Sequence, residues 1–149
     1  MKLKLMLDTN VLAKICQPVK FRDVQRWFLQ MLEQGNAAPE LLVSVLADYE
    51  LRRKLLDVNA TESLEHLDTL AKFIRYVPVT AETGRRAALL RQSLSGEPAQ
   101  NNLSDADLLM AAQASVEGAV LVTSDTALHR IPSVSAKDWN ELKPDGAEG

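Results

Sequence analysis

Short apolar runs alternate along the chain with longer stretches whose apolar residues recur at helical spacing. Apolar runs of this length between turn residues are typical of buried strands. They fall at residues 3–7, 40–46, 76–79, 119–123 and 134–136. None of them is joined to the next by a two-residue hairpin turn, which favours parallel rather than antiparallel pairing.

The stretches between these runs predict helices. Apolar residues at three- and four-residue spacing mark the helical segments, which fall at residues 11–15, 21–34, 47–58, 61–74, 80–95 and 104–117. Thr61 is expected to be the N-cap of one of them, Thr80 to open another, and Gly35 and Gly118 to close two more.

Strands separated by helices indicate an α/β fold, in which a central parallel sheet is covered on both faces. The predicted architecture is therefore a three-layer α/β/α sandwich. A chain of 149 residues is long enough for one such domain and too short for two. We expect residues 1–143 to form it and residues 144–149 to be a disordered tail.

Composition adds few constraints. The chain is 46% hydrophobic and 25% charged, which is ordinary for a globular protein. It has neither an apolar run of about 20 residues nor a signal-peptide pattern, so a cytoplasmic location without a membrane span is expected. The single cysteine, Cys16, suits a reducing compartment. His66 and His129 show no metal-ligand spacing and are expected at the surface.

Four carboxylates follow or adjoin predicted strands. Asp8 ends the first strand, Glu50 lies in the helix after the second, Asp107 opens the helix before the fourth, and Asp125 follows the fourth. Ligands of parallel sheets bind beyond the carboxyl ends of the strands, where these acids are predicted to converge. Gathered carboxylates repel one another, and divalent cations would offset that repulsion.

Each acid also has a local alternative. Asp8 could cap the following helix, Ser104 and Asp107 could form a capping box, Glu50 could pair with Lys54, and Asp125 could belong to a turn. These four explanations are independent of one another, whereas one metal site accounts for all four residues together.

Asp105 and Asp107 cannot both face one ion. Two positions along a helix correspond to about 200° of rotation. Asp107 shares a face with Met110, Ala111 and Ala114, the side that must pack on the sheet. We therefore expect Asp107 to be the inner ligand and Asp105 to be auxiliary.

The chain resembles the PIN domain family, and within it the VapC-like group of bacterial toxin nucleases. The resemblance rests on the order and spacing of several motifs: "MLDTNVL" at the start, "SVLADYELRRKL" after the second strand, "LSDADLLMAAQA", "GAVLVTSDTAL" and "IPSVSAKDW". It covers nearly the whole chain and is only general between residues 58 and 100.

The resemblance implies a sandwich whose acidic rim holds Mg²⁺ or Mn²⁺ and hydrolyses RNA. Asp8 and Asp107 would hold the main ion, Asp125 would support it or a second ion, and Glu50 would position or deprotonate the water. Many relatives have Asn at the position of Asp125. The polar residues Thr9, Asn10, Thr123 and Ser124 match those beside the acids.

The resemblance also implies partners. A toxin of this group acts with a small antitoxin, and homodimers are expected by family analogy. Net charge is −3, yet "ELRRK" at 50–54 and "GRR" at 84–86 could make locally basic surfaces or simply solvated helix faces. Arg52, Arg53 and Lys54 are the candidates for contacts with RNA phosphates.

Two other classes of function are open. The same fold could be an RNA-binding or partner-binding module without useful turnover, which Mn²⁺ titration would distinguish from a nuclease. A receiver-like or haloacid-dehalogenase-like phosphotransfer domain also places Asp at a strand end, but the latter needs a second acid where this chain has Asn10. Serine catalysis is disfavoured because Ser44 and Ser124 have no His base in their motifs.

Overall fold

A computed structural model of the chain describes residues 2–98 and 102–143. The predicted tail at 144–149 lies outside these residues. Within them, five strands are present: β1 Lys4–Leu7, β2 Glu40–Ser44, β3 Arg75–Val77, β4 Val120–Val122 and β5 Ala136–Lys137. Seven α-helices accompany them: α1 Thr9–Ile15, α2 Arg22–Leu32, α3 Val45–Asp57, α4 Thr61–Leu70, α5 Ala81–Ser93, α6 Asp105–Glu117 and α7 Thr126–His129.

All strand pairs are parallel, in the order β3-β2-β1-β4-β5. Successive residues of each strand face opposite sides, and the two cores follow that alternation. Leu5 and Leu7 belong to the core beneath α1 to α4, whereas Met6 belongs to the core on the other side, with residues of α5, α6 and α7. The predicted α/β/α sandwich is confirmed, and it places the carboxyl ends of all strands at one rim.

The second strand is shorter than predicted. β2 ends at Ser44, and Val45 and Leu46 already belong to α3. The Ser44 hydroxyl accepts a hydrogen bond from the Leu46 amide at 3.1 Å and caps the helix. The apolar run continues across this boundary, which is why the strand appeared to reach residue 46.

The prediction of Thr61 as an N-cap is wrong. Ala60 occupies that position and provides no side-chain cap, while Thr61 is the first helical residue. Asn59 adopts a left-handed conformation with φ of 54°, and the Ala60 amide donates to the Leu55 carbonyl at 2.9 Å. Because of this turn at the end of α3, α4 begins at Thr61, one residue earlier than predicted.

The connection between α4 and β3 also differs from the prediction. α4 ends at Leu70 rather than near residue 74, and β3 spans Arg75–Val77 rather than 76–79. Pro78 follows the strand directly and lacks the N–H that would continue the ladder. The last strand is similarly displaced, since β5 is Ala136–Lys137 and not 134–136.

An ion-pair network joins the amino ends of the first three strands to the end of α6. The Arg75 guanidinium donates to Glu40 at 2.6 Å and to Glu117 at 2.9 and 3.2 Å, and Lys4 lies 3.7 Å from Glu117. The hydrogen bond from Arg75 holds the pKa of Glu117 below its ordinary value of 4.5. The network therefore ties α6, which carries Asp107, to the opposite end of the sheet.

Glu117→Gln is expected to lower the free energy of unfolding at pH 7 by about 1 kcal/mol, because it removes the charge that pairs with Arg75 and Lys4. A lowered pKa means that this stabilisation is present above the ordinary value and is lost as the pH falls through the folded-state pKa. Urea unfolding at successive pH values should therefore show wild type and variant converging in acid. Glu97→Gln, at an exposed loop position, is the control; a constant difference at all pH values would contradict the prediction.

Candidate metal centre at the strand ends

Asp8 lies at the end of β1 and is almost fully buried, with 5% of its surface exposed. Its Oδ1 accepts a hydrogen bond from the Thr9 amide at 2.8 Å, so Asp8 is the N-cap of α1. Its Oδ2 accepts from the Thr123 hydroxyl at 2.6 Å and from Asn10 Nδ2 at 3.4 Å. The predicted capping role is confirmed, yet it uses only one of the two carboxylate oxygens.

The pKa of Asp8 shows which other charges are near. Burial raises this pKa above its ordinary value, hydrogen bonds from Thr123 and Thr9 lower it, and the negative charges of Asp107 and Asp125 raise it further. Asp107 and Asp125 come from α6 and from the end of β4, far from Asp8 in sequence. The fold therefore brings three carboxylates from separate segments into electrostatic contact.

Glu50 joins this group through Thr9. The Thr9 hydroxyl donates to Glu50 Oε2 at 3.3 Å, which places the glutamate of α3 beside the residue that follows Asp8. The alternative pairing of Glu50 with Lys54 is not formed within the described residues. This link between Thr9 and Glu50 was not foreseen from the sequence, because 41 residues separate the partners.

Asp107 and Asp105 separate as their helical positions predict. Asp107 Oδ2 accepts from the Ser104 amide at 2.9 Å, and Ser104 Oγ accepts from the Asp107 amide at 3.1 Å, so the capping box is confirmed. Asp105 is highly exposed and lies 3.0 Å from Arg91 of α5. Asp105, expected as an auxiliary residue, is directed to that arginine instead of to Asp8.

Thr123 connects two of the acids. It is fully buried, its hydroxyl donates to Asp8, and the same oxygen accepts from the Asp125 amide at 3.0 Å. Asp125 in turn caps α7 by accepting from the Ala127 amide at 3.0 Å. Ser124 is exposed, and no hydrogen bond joins its side chain to these acids in the described part of the chain.

His129 has a role that the sequence did not reveal. It is exposed, as expected, but its Nε2 lies 2.7 Å from the Thr123 carbonyl. Because a carbonyl oxygen only accepts, Nε2 must carry the proton. The ring thereby links α7 to the end of the segment that follows β4.

Asn10 leaves an oxygen without a partner beside Asp8. Asn10 Nδ2 donates to Asp8, while Asn10 Oδ1 is buried and accepts no hydrogen bond. A buried acceptor without a partner costs about 1–3 kcal/mol in free energy of folding. It supplies an additional oxygen that a water molecule or a hydrated cation could satisfy.

The three residues predicted to contact RNA phosphates differ in their partners. Arg52 donates to Asp48 at 3.0 and 3.2 Å and to Asp68 at 2.9 Å, hydrogen bonds that raise its pKa. Arg53 lies 3.4 Å from Asp57. Lys54 is exposed and in no ion pair among the described residues. Two of the three cations thus pair with carboxylates, Asp48 and Asp57 one turn away on α3 itself and Asp68 on α4, and a role in contacting phosphate stays a prediction.

The donor set suits a hard, hydrated cation. Carboxylate and amide oxygens are the ligands preferred by Mg²⁺ and Mn²⁺, and Mg²⁺ keeps several waters while binding one or two carboxylates. Over residues 2–98 and 102–143, no three Asp, Glu, His or Cys side chains lie close enough to form a complete protein cage. Among the residues that the structure describes, the acids therefore do not form an enclosed structural site.

A PIN domain model matches residues 5–134, which is most of the chain. The protein belongs to the PIN domain family, as the sequence motifs predicted. No curated protein sequence matches it.

Solved structures with the same fold include VapBC2 from Rickettsia felis bound to a promoter DNA fragment, with 22% identity, a TM-score of 0.71 and coverage of 92% of this chain and 99% of that one. VapBC-1 from nontypeable Haemophilus influenzae has 21% identity, a TM-score of 0.70 and coverage of 93% and 99%. PAE2754 from Pyrobaculum aerophilum has 17% identity, a TM-score of 0.63 and coverage of 95% and 93%. At these identities the similarity establishes the fold.

Proposed function

We propose that this protein is a metal-dependent endoribonuclease and the toxin of a type II toxin-antitoxin pair. The observation that carries the proposal is the buried Asp8 carboxylate, whose pKa is raised by burial and by the charges of Asp107 and Asp125. Membership of the PIN domain family and the likeness to VapBC structures support it. Retaining such a group without a cation costs free energy, so a cation-dependent role explains it.

The proposed role of each side chain follows from its position. Asp8 and Asp107 would hold a divalent cation, Asp125 would support it, and Glu50 would orient a water or accept its proton. Mg²⁺ or Mn²⁺, when bound, supplies water activation and offsets negative charge on the phosphoryl group. Thr9 keeps Glu50 beside Asp8 by donating to its carboxylate.

The proposal also covers partners. An antitoxin would cover the acidic rim and present a basic side chain to it, and the toxin would form a homodimer, as the VapC-like resemblance implies. A cytoplasmic location remains a prediction from sequence. Within the described residues, no helix is both long and apolar enough to cross a bilayer.

Cleavage of single-stranded RNA tests the proposal directly. The purified chain should cleave a labelled RNA with Mg²⁺ or Mn²⁺ and stop when EDTA is added, and it should leave DNA of the same sequence intact. Undiminished cleavage in EDTA, or no cleavage under any metal condition, would refute it.

A second candidate is a PIN-fold module that binds RNA or a partner without useful turnover. It is favoured by the lack of a three-residue metal cage in the described residues. Calorimetric titration with Mn²⁺ distinguishes the two. Binding that disappears in Asp8→Asn favours the nuclease, and no binding by wild type favours the module.

Thr123→Val is expected to lower cleavage about 10- to 100-fold, because residues that orient metal ligands have effects of that size. Valine keeps the shape but removes the hydroxyl that donates to Asp8 and accepts from the Asp125 amide. Thr123→Ser restores the hydroxyl and should recover most of the activity. Equal activity of the Val and Ser variants in a kinetic assay would show that the hydrogen bond is unimportant.

A further inference from the structure

A pocket of about 550 Å³ lies between the segment that joins α1 to α2 and the 3₁₀ helix Trp139–Glu141. Its lining combines charged and aromatic side chains, chiefly Lys14, Lys20, Arg22, Asp23, Phe21 and Trp139. It lies outside the acidic group described above, and the proposed chemistry does not use it.

The pocket concentrates positive charge in a chain of net charge −3. Lys14, Lys20 and Arg22 form no ion pair among the described residues, whereas Asp23, the acid of the lining, lies 3.6 Å from Arg26. The ammonium groups of Lys14 and Lys20 lie 5.7 and 5.3 Å from the ring centre of Phe21. Three neighbouring cations without carboxylate partners favour an anionic ligand.

The two sides of the pocket are formed by segments of the chain that start near the acidic rim. Lys14 lies six residues after Asp8 on α1, which corresponds to about 9 Å along a helix. Trp139 lies two residues after β5, whose Lys137 carbonyl accepts a hydrogen bond from the Thr123 amide at 2.9 Å. Both sides of the pocket are therefore built on segments that begin beside Asp8 and Thr123.

We propose that this pocket binds a nucleotide of single-stranded RNA, upstream or downstream of the bond cleaved at the acidic rim. This inference rests on the proposed nuclease function. The cations would contact the backbone phosphate, and the rings of Phe21 and Trp139 would pack against the base. Cations interleaved with aromatic rings are the usual means of binding single strands, whereas an acidic peptide would need no such rings.

Binding of a fluorescein-labelled single-stranded RNA, measured by anisotropy in EDTA, tests the cations without cleavage. Replacing Lys14, Lys20 and Arg22 by Gln should weaken binding and reduce the slope of log affinity against log salt by about 0.7, the contribution of one single-strand phosphate contact. The matched control replaces Lys72, Arg85 and Lys143 by Gln, which removes the same charge from exposed positions. The control slope should stay near that of wild type. Lys20→Gln alone, at an exposed position, provides the same test if the triple variant does not fold.

Tryptophan fluorescence tests the aromatic contact independently. Trp27 is 5% exposed, whereas Trp139 lines the pocket and packs on Trp27 with 6.2 Å between ring centres. RNA should quench the emission of wild type and of Trp27→Phe, but not that of Trp139→Phe. Quenching that persists in Trp139→Phe would place the base elsewhere.

The outcomes separate this inference from the proposed function. If the triple variant and its control bind RNA equally and metal-dependent cleavage is intact, RNA binding in the pocket is contradicted while the proposed nuclease function stands. If RNA binding depends on the pocket but no cleavage occurs under any metal condition, the proposed nuclease function is contradicted while RNA binding in the pocket stands. Binding of a glutamate-rich peptide, but not of RNA, in a manner that depends on the three cations would assign the pocket to an acidic protein partner and overturn the RNA assignment.

Discussion

Asp8→Asn is expected to lower RNA cleavage by at least about 10³-fold while the protein stays folded. Stabilisation of developing charge by a bound cation amounts to several kcal/mol, and about 4 kcal/mol corresponds to that factor. Asparagine is as good an N-cap as aspartate, so the bond to the Thr9 amide and the start of α1 should survive. The loss should therefore appear in kcat and in Mn²⁺ affinity and not in the folded fraction.

Asp105→Asn is the matched control, because it makes the same change on an exposed carboxylate that faces Arg91. Single-turnover cleavage, Mn²⁺ calorimetry and thermal unfolding should be measured on both variants. Without divalent cations, Asp8→Asn should melt at or above the wild-type temperature, since it removes a buried charge that Asp107 and Asp125 repel. Cleavage reduced equally in both variants would show that Asp8 has no special role.

The sheet was predictable because burial on both faces requires continuous apolar runs. The ends of the elements were less predictable, since they depend on hydrogen bonds that polar patterning does not reveal. Ser44 both ends β2 and caps α3 inside an unbroken apolar run. Thr61 is a favourable capping residue by type, yet the left-handed Asn59 places Ala60 at the cap.

The same holds for the candidate site. Features set by neighbouring residues were predictable, whereas contacts between residues far apart in sequence were not. Helical geometry correctly separated Asp107 from Asp105, because that argument needs only the rotation per residue. The ion pairs of Arg52 were only partly predictable, because one of its partners, Asp68, lies 16 residues away on another helix. Thr9 and Glu50 are separated by still more of the chain, so only the fold shows their contact.

Capping and cation binding are compatible in this site. Asp8, Asp107 and Asp125 each cap a helix through a backbone amide. In each of these carboxylates the capping hydrogen bond uses one oxygen. That bond also fixes the orientation of the side chain and therefore the position of its second oxygen. These three capping roles are therefore compatible with the proposed metal site, because they would hold its ligands in place.

Glu50→Gln is expected to lower kcat about 10²- to 10⁴-fold, the usual contribution of a general base, with a smaller effect on Mn²⁺ affinity than Asp8→Asn. Glutamine keeps an oxygen that can accept the hydrogen bond from the Thr9 hydroxyl, so the position of the side chain should be preserved. It cannot take a proton from water at neutral pH. Cleavage kinetics under saturating metal and Mn²⁺ calorimetry measure the two effects separately.

Glu65→Gln, on the exposed surface of α4, controls for the loss of one negative charge. If Glu50 acts on the water, Asp8→Asn and Glu50→Gln should differ in metal affinity although both lose cleavage. A parallel loss of Mn²⁺ binding in both variants would instead make Glu50 a direct ligand. Full activity of Glu50→Gln would exclude both roles and leave Asp8, Asp107 and Asp125 as the functional acids, because those three are already coupled through the pKa of Asp8.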